Sequence, residues 1–221
     1  MNEQKLLDRI LSELNDKRQK AEAAGDPYDP PRLFLHSCCA PCSSYCLQYM
    51  ADYFAVTDFY YNPNITEKPE FVKRSRELER LISEMPLHYP VTYVEGPYEP
   101  KRFFEAVKGF EDVPEGGERC FICYEMRLRE SARLAAEGSY DYFTTTLTIS
   151  PLKNSAKLNE IGRRLEAEYG VKWLPSDFKK KNGYLTSIEL SKQYELYRQN
   201  YCGCVFSRRE AEAREQAKTD E

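Results

Sequence analysis

Leu33-Phe34-Leu35-His36-Ser37-Cys38-Cys39-Ala40-Pro41-Cys42-Ser43-Ser44-Tyr45-Cys46 decides how the rest of this chain is read. The apolar run at its start predicts a buried strand, the cysteine-packed turn around Pro41 breaks it, and helical spacing resumes behind the proline. A strand-to-helix turn at the head of an α/β domain is where such folds place their chemistry. This turn carries four of the eight cysteines.

Upstream, Leu6, Leu7, Ile10, Leu11 and Leu14 recur at helical spacing, which predicts an amphipathic helix over residues 2–23 ended by Gly25. With the Pro-rich linker behind it, this segment forms an N-terminal unit, residues 1–30. Downstream, β-rich runs at 54–61, 88–94, 140–146 and 171–174 join the strand at 32–37 and alternate with helical segments, the last of them at 187–200. The pattern predicts a single α/β domain over residues 31–208, with a doubly wound, five-stranded, mainly parallel sheet. Residues 209–221 read as a charged, disordered tail. Parallel connections are right-handed, so the strand order must reverse. If strands one and four flank the reversal, Cys38 and Cys39 face the loop at 144–155. That is the order of nucleotide α-hydrolase-like (HUP-like) folds, whose first turn is a Gly-rich pyrophosphate loop. Here the turn has no glycine; cysteine takes the place of the phosphate cradle.

Composition sets the setting. With 221 residues, 41% hydrophobic and 31% charged, the chain suits one globular domain, and no apolar run approaches a membrane span. There is no signal peptide, so a cytoplasmic, reducing location is expected, and eight cysteines there are not four structural disulfides. Their grouping, 38/39/42/46, 120/123 and 202/204, is that of metal or redox sites. A net charge of −4 argues against a globally basic nucleic-acid binder and leaves room for a local patch. Lys73, Arg74, Arg76, Arg80, Arg163, Arg164 and Lys179 to Lys181 read equally as solvated faces or as a phosphate-tracking surface.

Cys120-x-x-Cys123 opens a helix, at the end where the dipole favours thiolates. With Cys38 and Cys39 it offers four soft donors, which suit an iron–sulfur cluster or a structural zinc. Adjacent side chains diverge, which favours the separate corners of a four-iron cluster over one zinc ion; free buried thiols are the bland alternative. Cys42 reads as a further ligand or a buried thiol, Cys46 as core, and His36 as a satisfied core histidine. Cys202 and Cys204, two apart, lie about 7 Å apart when extended, at the limit of a disulfide, and Gly203 lets the chain bend to close one. Such a bridge would be strained and readily reduced, which predicts a redox-active dithiol; a pair of metal ligands is the alternative. Asp177, beyond the fifth strand, reads as a proton donor or ligand, or as a helix N-cap.

The turn Cys38-Cys39-Ala40-Pro41-Cys42, the Cys120/Cys123 pair, the Thr-Thr-Leu-Thr-Ile-Ser-Pro-Leu-Lys-Asn loop at 145–154 and the terminal Tyr201-Cys202-Gly203-Cys204 resemble the QueH-type epoxyqueuosine reductases, in the same order and from about Pro31 to Arg208. The resemblance implies an oxidoreductase that removes the epoxide oxygen of epoxyqueuosine in the tRNA anticodon loop, drawing on an unidentified electron donor. It implies a [4Fe-4S] cluster on Cys38, Cys39, Cys120 and Cys123, and a redox-active disulfide between Cys202 and Cys204. It leaves open an additional iron, with Cys42 or Asp177 to serve it. The competing expectations are a cluster-dependent tRNA thiolase-like enzyme and a zinc-stabilised RNA-binding module.

Overall fold

A computed structural model describes residues 2–219. In chain order the elements are α1 (Glu3–Ala24), β1 (Arg32–Ser37), α2 (Ala40–Met50), β2 (Ala55–Tyr60), α3 (Lys68–Glu84), β3 (Val91–Glu95), α4 (Pro100–Ala106), α5 (Glu118–Glu137), β4 (Tyr142–Thr145), a 3-10 turn (Thr146–Ile149), α6 (Ser155–Tyr169), β5 (Lys172–Trp173), α7 (Gly183–Gln193) and α8 (Val205–Thr219). The sheet order is β3-β2-β1-β4-β5 and every neighbouring pair is parallel. The chain runs outward from β1 through β2 to β3, then returns to lay β4 on the other side of β1. The order therefore reverses between β1 and β4, as the sequence predicts.

Alternation along β1 explains the two layers. Leu33 and Leu35 enter one core with Leu7, Leu47, Met50, Phe71 and Leu78, contributed by α1, α2 and α3. Phe34 enters the other, with Leu128, Ala132, Leu158 and Leu165 of α5 and α6. The two faces of a parallel sheet are covered in this way, which is why its strands are apolar on both sides. Helix α1 is integral to the first core, since Leu7 and Leu11 are buried. It begins at Asn2, whose side chain accepts from the Lys5 amide, and ends at Gly25 in the left-handed conformation.

The C-terminal region departs from expectation. Helix α7 stops at Gln193, because Glu195 turns back with φ 49° and the Leu196 amide bonds to Ser191. Residues 194–204 then run as irregular chain. The tail expected to be disordered is helix α8 through Thr219; residues 220 and 221 lie outside the described residues. The helix is anchored where composition gives no hint. Phe206 and Ala211 are buried, and Glu210 pairs with the buried Arg119 at 2.8 Å and accepts the Glu115 amide.

Close packing of α6 against β5 depends on Gly162. A Cβ there would lie 2.1 Å from Cδ2 of Trp173, whose indole N–H is fixed by Asn159 at 3.0 Å. Gly162→Ala is expected to destabilise the fold by about 2–3 kcal/mol through overpacking. Urea unfolding checks this, and an alanine variant as stable as the parent would mean that α6 slides freely on β5.

Candidate active site

Three helix N-termini carry the sulfur. Cys39 is the N-cap of α2, with backbone fully extended, and its carbonyl receives both the amide and the hydroxyl of Ser43. Cys120 stands in the first turn of α5, where its sulfur accepts the Gly116 amide at 3.3 Å. Cys204 precedes α8 and caps it, its sulfur accepting the Ser207 amide at 3.3 Å. Unpaired amides and the helix dipole favour negative charge at each of these positions.

The chain reverses direction between β1 and α2, and this turn folds the first sulfurs together. Cys38 and Cys39 Sγ are 3.7 Å apart, and with Cys42 the three sulfurs lie within 4.8 Å of one another. Adjacent cysteines thus do not diverge here, as alternation in a strand would require, because the strand has already ended at Ser37. Hydrogen bonds from Cys38 and Cys42 hold the Cys39 thiol well below the usual range, and Cys42, as donor, is pushed well above it. Cys46 lies in the apolar core behind α2, away from this group.

Two adjoining cavities carry the sulfur. One, of about 300 Å³, is walled by Cys38, Pro41 and Cys42, by the loop 149–153, and by Tyr184, Ser187 and residues 198–202. The other is small and holds Cys120, Cys123, Cys202 and Cys204 with Arg119 and Arg127. Lys153, Glu115 and Cys202 line both. Six of the eight cysteines therefore line the two adjoining cavities, Cys39 stands beside Cys38 and Cys42, and all are free thiols. Burial raises the thiols of Cys120 and Cys204 and pushes Cys123 up to about 12. Burial works against the Lys153 charge, but the neighbouring sulfurs of Cys202, Cys38 and Cys42 hold it above an ordinary lysine.

The dithiol loop is held from beneath by Arg74, which the sequence reads equally as part of a solvated face or of a phosphate-tracking surface. Arg74 is 2% exposed, pairs with Glu70 at 2.7 Å, and donates to the carbonyl of Cys202 at 3.0 Å. Gly203 has φ 127° and packs so closely that a Cβ would lie 2.8 Å from Ile65 and 3.3 Å from Arg74 Nη1. The signal that could have found Arg74 is that it shares one helical stripe with Phe71, Ser75 and Leu78. Most of the other expected phosphate-facing cations are answered within the fold. Arg80 pairs with Glu77 and Glu84, Arg163 with Glu3, Arg164 with Glu125, Lys179 with Asp177 and Lys181 with Asp8. Asp177 lines neither cavity and caps no helix; α7 begins behind Asn182.

Below the turn, two buried groups fix protonation states. His36 Nε2 donates to the Tyr61 carbonyl at 3.0 Å, so Nδ1 accepts from Thr145 at 2.8 Å; burial, with the nearby Arg127 charge, lowers its pKa to about 3. It is the satisfied core histidine the sequence suggests. Burial raises Asp58 to about 7, while the hydroxyl of Ser37 donates to it at 2.5 Å. Since its pKa lies above the unfolded value of 3.8, the stability that Asp58 contributes is complete below that pH and lost as pH rises towards 7. Wild-type stability relative to Asp58→Asn is expected to fall by about 1.4 kcal/mol per pH unit across that window. Parallel stability curves for the two proteins would discard a neutral buried carboxyl.

With this geometry in place, comparison with known proteins is direct. Residues 33–210 match the sequence profile of the family described as epoxyqueuosine reductase QueH. The chain belongs to the QueH family. A relative named epoxyqueuosine reductase QueH from Staphylococcus epidermidis is 44% identical over 181 residues, covering 80% of this chain and 76% of that protein. The QueH protein of Streptococcus pyogenes is 42% identical, with 80% and 70% covered, and that of Thermotoga maritima 36%, with 79% and 89% covered. Among solved structures, the U34-tRNA thiolase NcsA from Methanococcus maripaludis, described with its [4Fe-4S] cluster, superposes with a TM-score of 0.50. It is 12% identical over 96% of this chain and 75% of its own, a likeness of fold alone. No helix among the described residues is long and apolar enough to cross a membrane.

Proposed function

We infer that this QueH protein is an epoxyqueuosine reductase, acting on tRNA to convert epoxyqueuosine to queuosine. The observation that carries the reading is the gathering of six cysteines on two adjoining cavities at the switch point, with Cys39 beside Cys38 and Cys42, in a chain of this family. The donor set suits an iron–sulfur cofactor: soft thiols at helix N-termini, with the buried cations Arg74 and Arg127 and the half-buried Lys153 around them. Cys38, Cys39, Cys120 and Cys123 would hold a [4Fe-4S] cluster, and Cys42, in contact with Cys38 and Cys39, would serve an additional iron. When bound, such a cluster supplies single electrons and a Lewis-acidic iron.

The chain's own residues account for the rest. The cavity of about 300 Å³ is of the size of small-ligand sites, and Tyr184 and Tyr201 on its wall offer faces on which an unstacked base rests. Removing the epoxide oxygen as water takes two electrons and two protons. Cys202 and Cys204 supply both when their thiols become a disulfide, so that epoxide and dithiol give alkene, water and disulfide. An external reductant then restores the thiols; a cytoplasmic setting, which keeps thiols reduced, suits that cycle. Asp177 is held by Lys179 outside both cavities, and its expected role as proton donor has no support in this geometry.

The test is mass spectrometry of tRNA nucleosides from a strain lacking the protein. Epoxyqueuosine accumulates and queuosine disappears if the reading holds; unchanged queuosine in a strain with no second reductase refutes it. Anaerobically purified protein is expected to be brown and to contain iron and sulfide. Colourless protein with stoichiometric zinc would instead indicate a zinc-stabilised RNA-binding module.

A further inference from the structure

Arg127 sits in the interior with its charge unanswered. It is 1% exposed, and its neighbours differ from it: Arg74 has Glu70 and Arg119 has Glu210, whereas no carboxylate among the described residues pairs with Arg127. Nη2 has no hydrogen-bond partner at all. A buried guanidinium left in this state is costly unless an anion stands near it. The groups that could supply one are thiols: Cys123, Cys202 and Cys38 are the ionisable side chains that act on it most.

Its two remaining bonds lead to both halves of the thiol set. Nε donates to the carbonyl of Cys123 at 3.2 Å, and Nη1 reaches Oδ1 of Asn62 at 3.5 Å. The amide nitrogen of the same Asn62 donates to the carbonyl of Ser37 at 2.9 Å, one residue before Cys38. One guanidinium and one amide thus join the turn after β1 to the first turns of α5. Lys153 is a second cation on the same crevice without a carboxylate partner among the described residues.

We propose that Arg127 is a positioning residue of the thiol site: through Asn62 it clamps the Cys38 turn to the Cys123 helix, and its charge favours the reduced, more negative form of the iron–sulfur cluster held there. This role rests on the cluster assignment made under Proposed function. Lysine preserves the charge but lacks the rigid fork whose Nε and Nη1 donate separately to Cys123 and Asn62, so the two parts of the role separate in the variants.

The experiment compares wild type, Arg127→Lys, Arg127→Gln and Lys153→Gln after anaerobic reconstitution. It measures iron and sulfide content, the midpoint potential by EPR-monitored titration, and the rate of iron loss to a chelator. R127Q is expected to hold a cluster whose potential has moved in the negative direction. K153Q moves the same way by less, and carries the charge test should R127Q not fold. R127K is expected to keep the wild-type potential but to lose iron severalfold faster. A folded, loaded R127Q, or K153Q in its place, with the wild-type potential overturns the electrostatic role, and R127K losing iron at the wild-type rate overturns the clamp. Wild-type protein that takes up no iron removes the cluster assignment and this inference together.

Discussion

The Cys202→Ser/Cys204→Ser double variant will keep its fold and its iron and lose turnover by on the order of 10³-fold or more, the scale of deleting a reacting group. The fold is insulated from the change for reasons visible at each position. Serine at 204 caps α8 at least as well as the thiol that now accepts the Ser207 amide. At 202 the structural tie is the carbonyl that receives Arg74, and this is untouched by side-chain replacement. What serine cannot do is become one half of a disulfide, so the pair of electrons has no source. Absorbance near 400 nm (roughly, for cluster charge transfer) and iron content should match wild type while product formation fails. Full turnover by the double variant would remove the dithiol from the reaction.

Arg74→Met is expected to cost about 3–5 kcal/mol of stability, the range for breaking one side of a buried ion pair. Glu70 would be left with its side chain 12% exposed and no cation, and the carbonyls of Cys202 and Tyr201 would lose their donor. Methionine fills most of the volume, so the loss reports charge and hydrogen bonding more than a cavity. The loop above, whose Gly203 carbonyl receives the Thr66 amide at 3.3 Å, would loosen. Faster alkylation of Cys202 than in wild type is the accompanying sign. Adding Glu70→Gln should recover part of the stability, since the orphaned carboxylate is then gone. A loss below about 1 kcal/mol in the single variant would place Arg74 among ordinary surface pairs.

The architecture was legible because it follows from periodicity and handedness. Apolar runs such as 33–35, helical stripes such as Leu7, Leu11 and Leu14, and the reversal between β1 and β4 needed no side-chain detail. The grouping of the cysteines was equally visible, as pairs at spacings that suit soft ions. Tertiary contacts decided what was missed. Composition marks residues 209–221 as charged, and nothing local announces that Arg119, ninety residues upstream, waits buried for Glu210. Arg74 and Arg127 were hidden differently: each occupies the apolar face of its helix, but a lone arginine in such a stripe is ordinarily a residue that reaches past it to solvent. The closeness of Cys38 to Cys39 was missed although the end of β1 at Ser37 was read correctly, because the divergence of adjacent side chains in a strand was carried past that end into the turn.

The three helix N-termini that carry Cys39, Cys120 and Cys204 explain how sulfur can stand where such folds hold phosphate. In related switch-point crevices such termini receive the pyrophosphate of a nucleotide, through amides that answer charge whatever its chemical carrier. Sulfur answers them too, as Cys120 and Cys204 do in accepting the Gly116 and Ser207 amides. A crevice of this kind can take sulfur in place of phosphate through its turns alone, with the sheet and both cores unaffected.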